Sequence, residues 1–293
     1  MRRAEGSSRR TGNRLKAVRP GAISLYDVAM RKVGSPTRIE PVVRGPAATA
    51  GAGLEPVELR QLSRAALTAM AAAGEELAEL KRVLDKTGDN VVGLLLEGGG
   101  AFYEWTHYPA GDVYDFASGA QYYYHAHPKE ERPVEHGHFH TFLRPRGMPK
   151  GIKPARVRGY VAPEDANDAL SHLVAVAMSD KGQPFQLFTT NRWVTGETWY
   201  AARDVIAMLD RFAVELVRPS FAVNRWITAL LRLFRPQIEA LVLERDRVIA
   251  QWQRRNAKLD VFEDRRLSVA SKIEISLETQ RDQVLAALKR ARR

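Results

Sequence analysis

Gln121-Tyr122-Tyr123-Tyr124-His125-Ala126-His127, then a polar turn, then Glu135-His136-Gly137-His138-Phe139-His140-Thr141-Phe142: this stretch decides how the chain is read. It holds five of the seven histidines. Residue character alternates on both sides of the turn, and aromatic and β-branched types are frequent, which predicts two antiparallel strands. Successive side chains of a strand point to opposite faces. His125 and His127 therefore share a face, and so do His138 and His140. Closing the hairpin with His127 opposite His138 sets His125 opposite His140, with opposed Cβ atoms roughly 4.5–5.5 Å apart. Four imidazoles then converge on one patch of sheet, an arrangement suited to a metal. Crowded imidazoles repel once two are protonated, and coordination, which uses the neutral form, removes that cost. His136, beside Gly137 where the ladder frays, and His172, on a later strand, are the lesser candidates. A cluster that senses pH or simply packs is the competing reading.

The absence of cysteine excludes disulfides, thiolate ligands and a thiol nucleophile. A metal here must use histidine nitrogen with carboxylate or water oxygen, which suits iron, zinc or manganese, and also nickel or copper. Tyr123, on the face of His125, and Glu131 and Glu135 in the turn are candidate proton-transfer groups. His107, Tyr108, Asp112 and Asp115 sit at nearby turns within reach of the same cleft. There is no His-Glu-x-x-His helix, no Gly-x-Ser-x-Gly elbow and no Walker loop.

The net charge of +11 is unevenly spread. Residues 1–53 carry eleven Arg or Lys against Glu5, Asp27 and Glu40, a balance of +8, which leaves +3 for the remaining 240 residues. This Pro-, Gly-, Ser- and Ala-rich segment lacks apolar periodicity and reads as a disordered basic tail. It resembles a transit peptide in composition, and could equally make weak phosphate contacts or reflect an early start codon. Nucleic acid is otherwise not expected. No apolar run approaches the roughly 20 residues of a membrane-spanning helix, and the default location is the cytoplasm.

One α+β domain is expected over 54–293, helical at 54–90, sheet at 91–198 and helical again at 199–293. Helical spacing runs from Glu58 to Leu84, with Pro56 in the first turn. Val91–Leu96 has the length and apolarity of a strand, closed by Gly98, Gly99 and Gly100. Phe102–Tyr108 and Val113–Phe116 precede the histidine hairpin. After it, Leu143–Gly159 is basic and loop-like, with Arg144 suited to an anionic substrate. His172–Ser179 and Phe185–Val194 flank the turn Asp180-Lys181-Gly182-Gln183, which places His172 opposite Asn191. Asn191, Arg192 and Glu197 at the following corner are candidates for orienting a substrate or supporting a histidine ligand. Helices follow at Trp199–Leu216, at Phe221–Trp252 with a kink at Pro236, and at Leu277–Arg290. The last is followed by Arg292 and Arg293.

Gly119, His125-Ala126-His127, Glu131 and Gly137 resemble the first cupin motif, one residue short before the final glycine. That resemblance implies a small, partly curled barrel with a His/Glu-bound divalent metal. The second cupin motif has no counterpart in the chain. From about Glu55 onward the sequence also resembles an uncharacterised bacterial family, a domain of unknown function. The resemblance rests on Phe102-Tyr103-Glu104-Trp105-Thr106-His107-Tyr108-Pro109, on the two histidine strands and on Thr189-Thr190-Asn191-Arg192-Trp193-Val194-Thr195-Gly196-Glu197-Thr198-Trp199. It implies no activity. The residues themselves point to a metalloenzyme, hydrolytic or oxygen-dependent, acting on a small and possibly anionic substrate. A metal- or pH-sensing binding protein is the alternative.

Overall fold

Six strands pair in sequence order as one open antiparallel sheet: β1 (Tyr108–Tyr114), β2 (Ala120–His125), β3 (Gly137–Leu143), β4 (Ser171–Met178), β5 (Pro184–Thr190) and β6 (Val269–Glu274). They are seen in a computed structural model that describes residues 54, 57–98 and 100–291. The expected basic tail at 1–53, Pro56, Gly99, Arg292 and Arg293 lie outside the described residues. The sheet does not close, so the barrel implied by the partial cupin motif is not formed. The expected α+β architecture is the one observed. Among the described residues seven α-helices accompany the sheet: α1 (Arg64–Asp85), α2 (Val91–Leu96), α3 (Arg192–Thr195), α4 (Ala202–Leu209), α5 (Phe221–Leu233), α6 (Arg235–Arg255) and α7 (Leu277–Arg290). No helix among the described residues is long and apolar enough to cross a membrane.

Strand alternation divides the sheet into two chemically different faces. Tyr122, Tyr124, Phe139, Leu143, Val174, Val176 and Leu187 join Leu67, Met70 and Leu77 of α1, Leu95 of α2, Trp226 and Leu230 of α5, and Val284 of α7 in the main core. Each such side chain, fully buried, contributes about 1.5–3 kcal/mol. The opposite face presents Tyr123, His125, His138, His140, Phe142, Ala175, Ala177 and Phe188. Helix ends are capped as their sequences dictate. Ser63 accepts from the Ala66 N–H at 3.2 Å and Ser276 from the Thr279 N–H at 3.2 Å.

The structure corrects five expectations of secondary structure. Val91–Leu96 is helix, not strand, because the Asn90 side chain caps the Val92 and Gly93 N–H groups at 3.0 Å each. A short apolar run suits either state, and here the cap decides. Phe102–His107 precedes the sheet, whose first strand begins at Tyr108. The helix expected from Trp199 to Leu216 is shortened to α4. The C-terminal region read as helical also contributes β6, which pairs with β5 through Leu187 opposite Ile273 and Phe188 opposite Lys272. Pro236 sits in the first turn of α6, where its missing N–H costs nothing, and the break from α5 falls at Phe234.

The first hairpin closes with a connection two residues longer than expected, with His125 opposite His138 and Tyr123 opposite His140. His127 lies beyond the end of β2. A slip of two preserves the faces, so the histidines still converge. The second hairpin keeps the expected register over Ala175–Ala177, with Ala175 opposite Phe188. Asn191 leaves the ladder to cap α3.

Candidate metal centre

His125 at the end of β2 and His138 at the start of β3 are opposed in the ladder, and their Nε2 atoms stand 2.7 Å apart. His127 follows in the loop, where its ring stacks on that of His138 at an interplanar angle of 27° with centroids 5.2 Å apart. One nitrogen from each of His125, His127 and His138 lies within 4.8 Å of the others. His125 and His138 are buried, and the His127 side chain is 15% exposed, so the group opens to solvent on the His127 side.

The tautomer of His138 is fixed from behind. Its Nδ1–H donates to Glu135 Oε1 in a short hydrogen bond, while Arg132 Nη1 donates to Glu135 Oε2 at 2.9 Å. Nε2 therefore carries the lone pair, directed at His125. This carboxylate–imidazole pairing is the support that metal-ligating histidines commonly receive. Arg132 and His138 also share Phe188, at 5.0 Å for the guanidinium and 5.2 Å for the imidazole centroid.

Burial dominates the electrostatics. It pushes His125, His138 and His140 well below the usual imidazole value and His127 down to about 3. Neighbouring imidazoles add to the effect at the first three, and the Arg132 guanidinium adds to it at all four. All four rings are therefore neutral at pH 7, the form that binds metal. Burial also raises Tyr123, aided by the charges of Asp112 and Glu197, and keeps its hydroxyl protonated.

A segment without regular structure borders the centre. Trp105 has a φ of 66°, unusual for a bulky residue, and its N–H donates to Ala126 O at 2.9 Å. Its indole packs edge-on against His127 with centroids 4.1 Å apart. His107 stacks on Tyr123 at 3.6 Å and is held by Asp112 at 3.0 Å. Asp112 also accepts from Gln121 Nε2 at 2.7 Å, and Gln121 Oε1 accepts from Arg144 Nε at 2.6 Å.

The remaining sequence candidates make the following contacts. His136 bonds Tyr124 Oη at 2.6 Å and stacks on Phe102, on the core side of the sheet and away from the triad. Glu131 makes a 3.4 Å contact to His127 Nδ1 from an exposed position. Glu135 is committed to His138 and Arg132. Arg144 pairs with Asp168 and reaches the centre only through Gln121, Asp112 and His107. Asn191 donates to Val261 O at 2.8 Å, and Arg192 pairs with Glu263, so both hold the corner after β5. Tyr108 Oη accepts from the Tyr103 N–H at 2.7 Å, and Asp115 accepts from the Ala117, Ser118 and Glu215 N–H groups. Glu197 Oε2 accepts from the His172 N–H at 2.6 Å, and burial pushes this carboxyl up to about 8. His140 Nδ1 lies 3.0 Å from His172 Nε2.

Sequence reading missed Arg132 and Trp105. Arg132 is anchored by its spacing of three from Glu135, a signal that single-chain patterning does not distinguish from a solvated turn. Trp105 is carried to the centre by an irregular backbone that has no periodicity to read.

No curated protein and no solved structure matches the chain. A family model described as "Domain of unknown function (DUF6969)" matches residues 71–275, spanning all six strands and the histidine centre, and the chain belongs to that family.

Proposed function

We propose that His125, His127 and His138 hold a divalent first-row metal, with iron, zinc and manganese the best fits, and that the protein is a metalloenzyme. The observation that carries this reading is the convergence of three neutral imidazole nitrogens within 4.8 Å, one of them oriented by a buried carboxylate. Such a support is costly to build for packing alone. Glu135 sits at 5% exposure beside His138 at 1%, and burying a carboxylate is unfavourable unless it is paired and hydrogen-bonded.

A bound divalent metal would act as a Lewis acid, lower the pKa of a bound water, or support oxygen chemistry. The chain's own residues supply the rest. Glu135 holds the proton at His138 Nδ1 and so keeps Nε2 available. Tyr123, 5.5 Å from His125 by ring centroids, offers a protonated hydroxyl as a hydrogen-bond donor. The Arg132 guanidinium acts on all four imidazoles, which supports a small anionic substrate. Trp105 flanks the open His127 side, its indole edge-on to the imidazole with centroids 4.1 Å apart.

A pH sensor is the weaker reading. Sensing histidines titrate between about pH 5 and 8, and burial moves this group below that range.

The test is elemental analysis of the freshly purified full chain, followed by calorimetric titration of chelator-treated protein with Fe(II) (anaerobically), Zn(II) and Mn(II). About one metal per chain, in one of these measurements, is expected. Protein that arrives without metal and takes up none of the three contradicts the proposal.

A further inference from the structure

His140 and His172 form a second pair of imidazoles beside the triad, and the strand geometry that brings them together is irregular. β3 and β4 keep one register from Gly137 opposite Met178 to Thr141 opposite Val174, and the register then shifts so that Phe142 faces His172. Leu173 is the extra residue of this bulge. On a regular strand His172 would share the core face with Val174 and Val176. Bulges re-aim side chains in this way, often next to functional sites. Here the bulge brings the His172 ring to the histidine face, 5.2 Å from Phe142 and 5.0 Å from His140 by centroids. The Glu197 carboxylate takes the His172 N–H at 2.6 Å, which meets the requirement that a buried backbone donor be paired.

His140 is 1% exposed, and its Nε2 has no hydrogen-bond partner among the described residues. An unpartnered buried polar atom costs about 1–3 kcal/mol. The ring lies 4.7 Å from His138 and 5.3 Å from His125, both members of the triad. Its other nitrogen, Nδ1, is occupied by His172 Nε2 at 3.0 Å. If Nδ1 donates to His172, the lone pair of His140 is on Nε2. His172 then carries its own proton on Nδ1, 3.5 Å from Thr190 Oγ1.

We propose that His140 is a fourth imidazole ligand and that His172 is not a ligand but the residue that positions it. The inference rests on the metal reading of the triad and extends it. Four imidazoles saturate a tetrahedral zinc. An open position for water, oxygen or substrate then requires a five- or six-coordinate metal, which favours iron(II) or manganese(II) over zinc. Four neutral ligands also leave the full 2+ charge on the metal, which suits an anionic substrate.

The experiment uses the full chain, loaded with Co(II) as a spectroscopic probe and titrated with Mn(II) and Zn(II). The variants are His140→Ala, His172→Phe, which fills the space without an acceptor, and His172→Gln, whose amide oxygen can reach the place of Nε2. Melting curves of the metal-free proteins identify variants that have lost the fold. Metal affinity is expected to fall about 10-fold or more in His140→Ala, and comparably in His172→Phe, since supporting residues typically contribute 10–100-fold. His172→Gln should stay within about threefold of the parent. The Co(II) absorption spectrum should change alike in His140→Ala and His172→Phe and be restored in His172→Gln. A parent that binds metal normally while His140→Ala and His172→Phe bind as tightly, with unchanged spectra, overturns this inference and leaves the triad standing. A weakening equal in His172→Phe and His172→Gln, with both folded, contradicts the positioning role. A parent that takes up no metal removes both readings.

Discussion

Lowering the pH from 7.5 to 5.5 should destabilise the metal-free protein strongly. His125, His127, His138, His140 and His172 all have folded-state pKa values lowered by burial, the last to about 3. Their unfolded value is about 6.5. Below that value the unfolded chain binds protons that the folded chain refuses, so stability falls as pH falls. For one such imidazole the loss over this interval is about 1.4 kcal/mol, fixed by the unfolded pKa as long as the folded one lies well below 5.5. Five give roughly 7 kcal/mol. Glu197 works in the opposite sense. Its folded pKa is raised to about 8, so its contribution is favourable at low pH and lost as pH rises from about 4.5 toward 8. That returns about 2–3 kcal/mol on acidification, and Glu135, raised by burial, adds to the return. The net loss is on the order of 4 kcal/mol, a large part of the 5–15 kcal/mol typical of a domain. Urea unfolding of chelator-treated protein, followed by tryptophan fluorescence at both pH values, measures it. A midpoint unchanged or raised at pH 5.5 would refute the neutral, buried state assigned to these imidazoles.

Four substitutions probe the site and the sheet that carries it. Glu135→Gln should lower metal affinity about 10-fold with the fold retained, since it removes the charge that holds the His138 Nδ1 proton; calorimetric titration checks it, and unchanged affinity contradicts the role. Gly137→Ala should destabilise the chain by about 1–3 kcal/mol and lower its melting temperature by several degrees, because an added Cβ would sit 2.5 Å from His125 O and 2.6 Å from Tyr124 Oη; an unchanged melting temperature contradicts the close approach. His136→Ala should keep its metal where His138→Ala loses it, as His136 faces Tyr124 on the other side of the sheet, and metal stoichiometry after desalting separates the two.

Much of this site is legible in the hairpin because its face assignment depends only on parity. The expected register differs from the observed one by two residues, and an even slip leaves every side chain on its own face. What the sequence conceals is the turn. Lys129 bonds Asp180 at 2.6 Å and Arg132 bonds Glu135, so the loop is anchored by side chains that show no local pattern, and β2 stops before His127. His172 is the reverse case. Its parity places it on the core face, and only the bulge at Leu173, which has no sequence signal, moves it to the histidines. The helix at Val91–Leu96 is hidden because six apolar residues fit a buried strand or a buried helix equally well. β6 is hidden because Val269–Glu274 is short, lies at the sheet edge and sits between helices. The corner residues Asn191 and Arg192 look like a binding motif because polar and indole groups crowd there, yet their partners are Val261 and Glu263 of the chain itself.

The most direct test of the metal centre is anomalous diffraction from crystals of the full chain loaded with Mn(II) or Zn(II), recorded on either side of the metal's absorption edge. The account predicts one strong anomalous peak within about 2.0–2.3 Å of a ring nitrogen of each of His125, His127 and His138. Loaded crystals with no peak at these three histidines, or with the metal bound elsewhere on the chain, would contradict it.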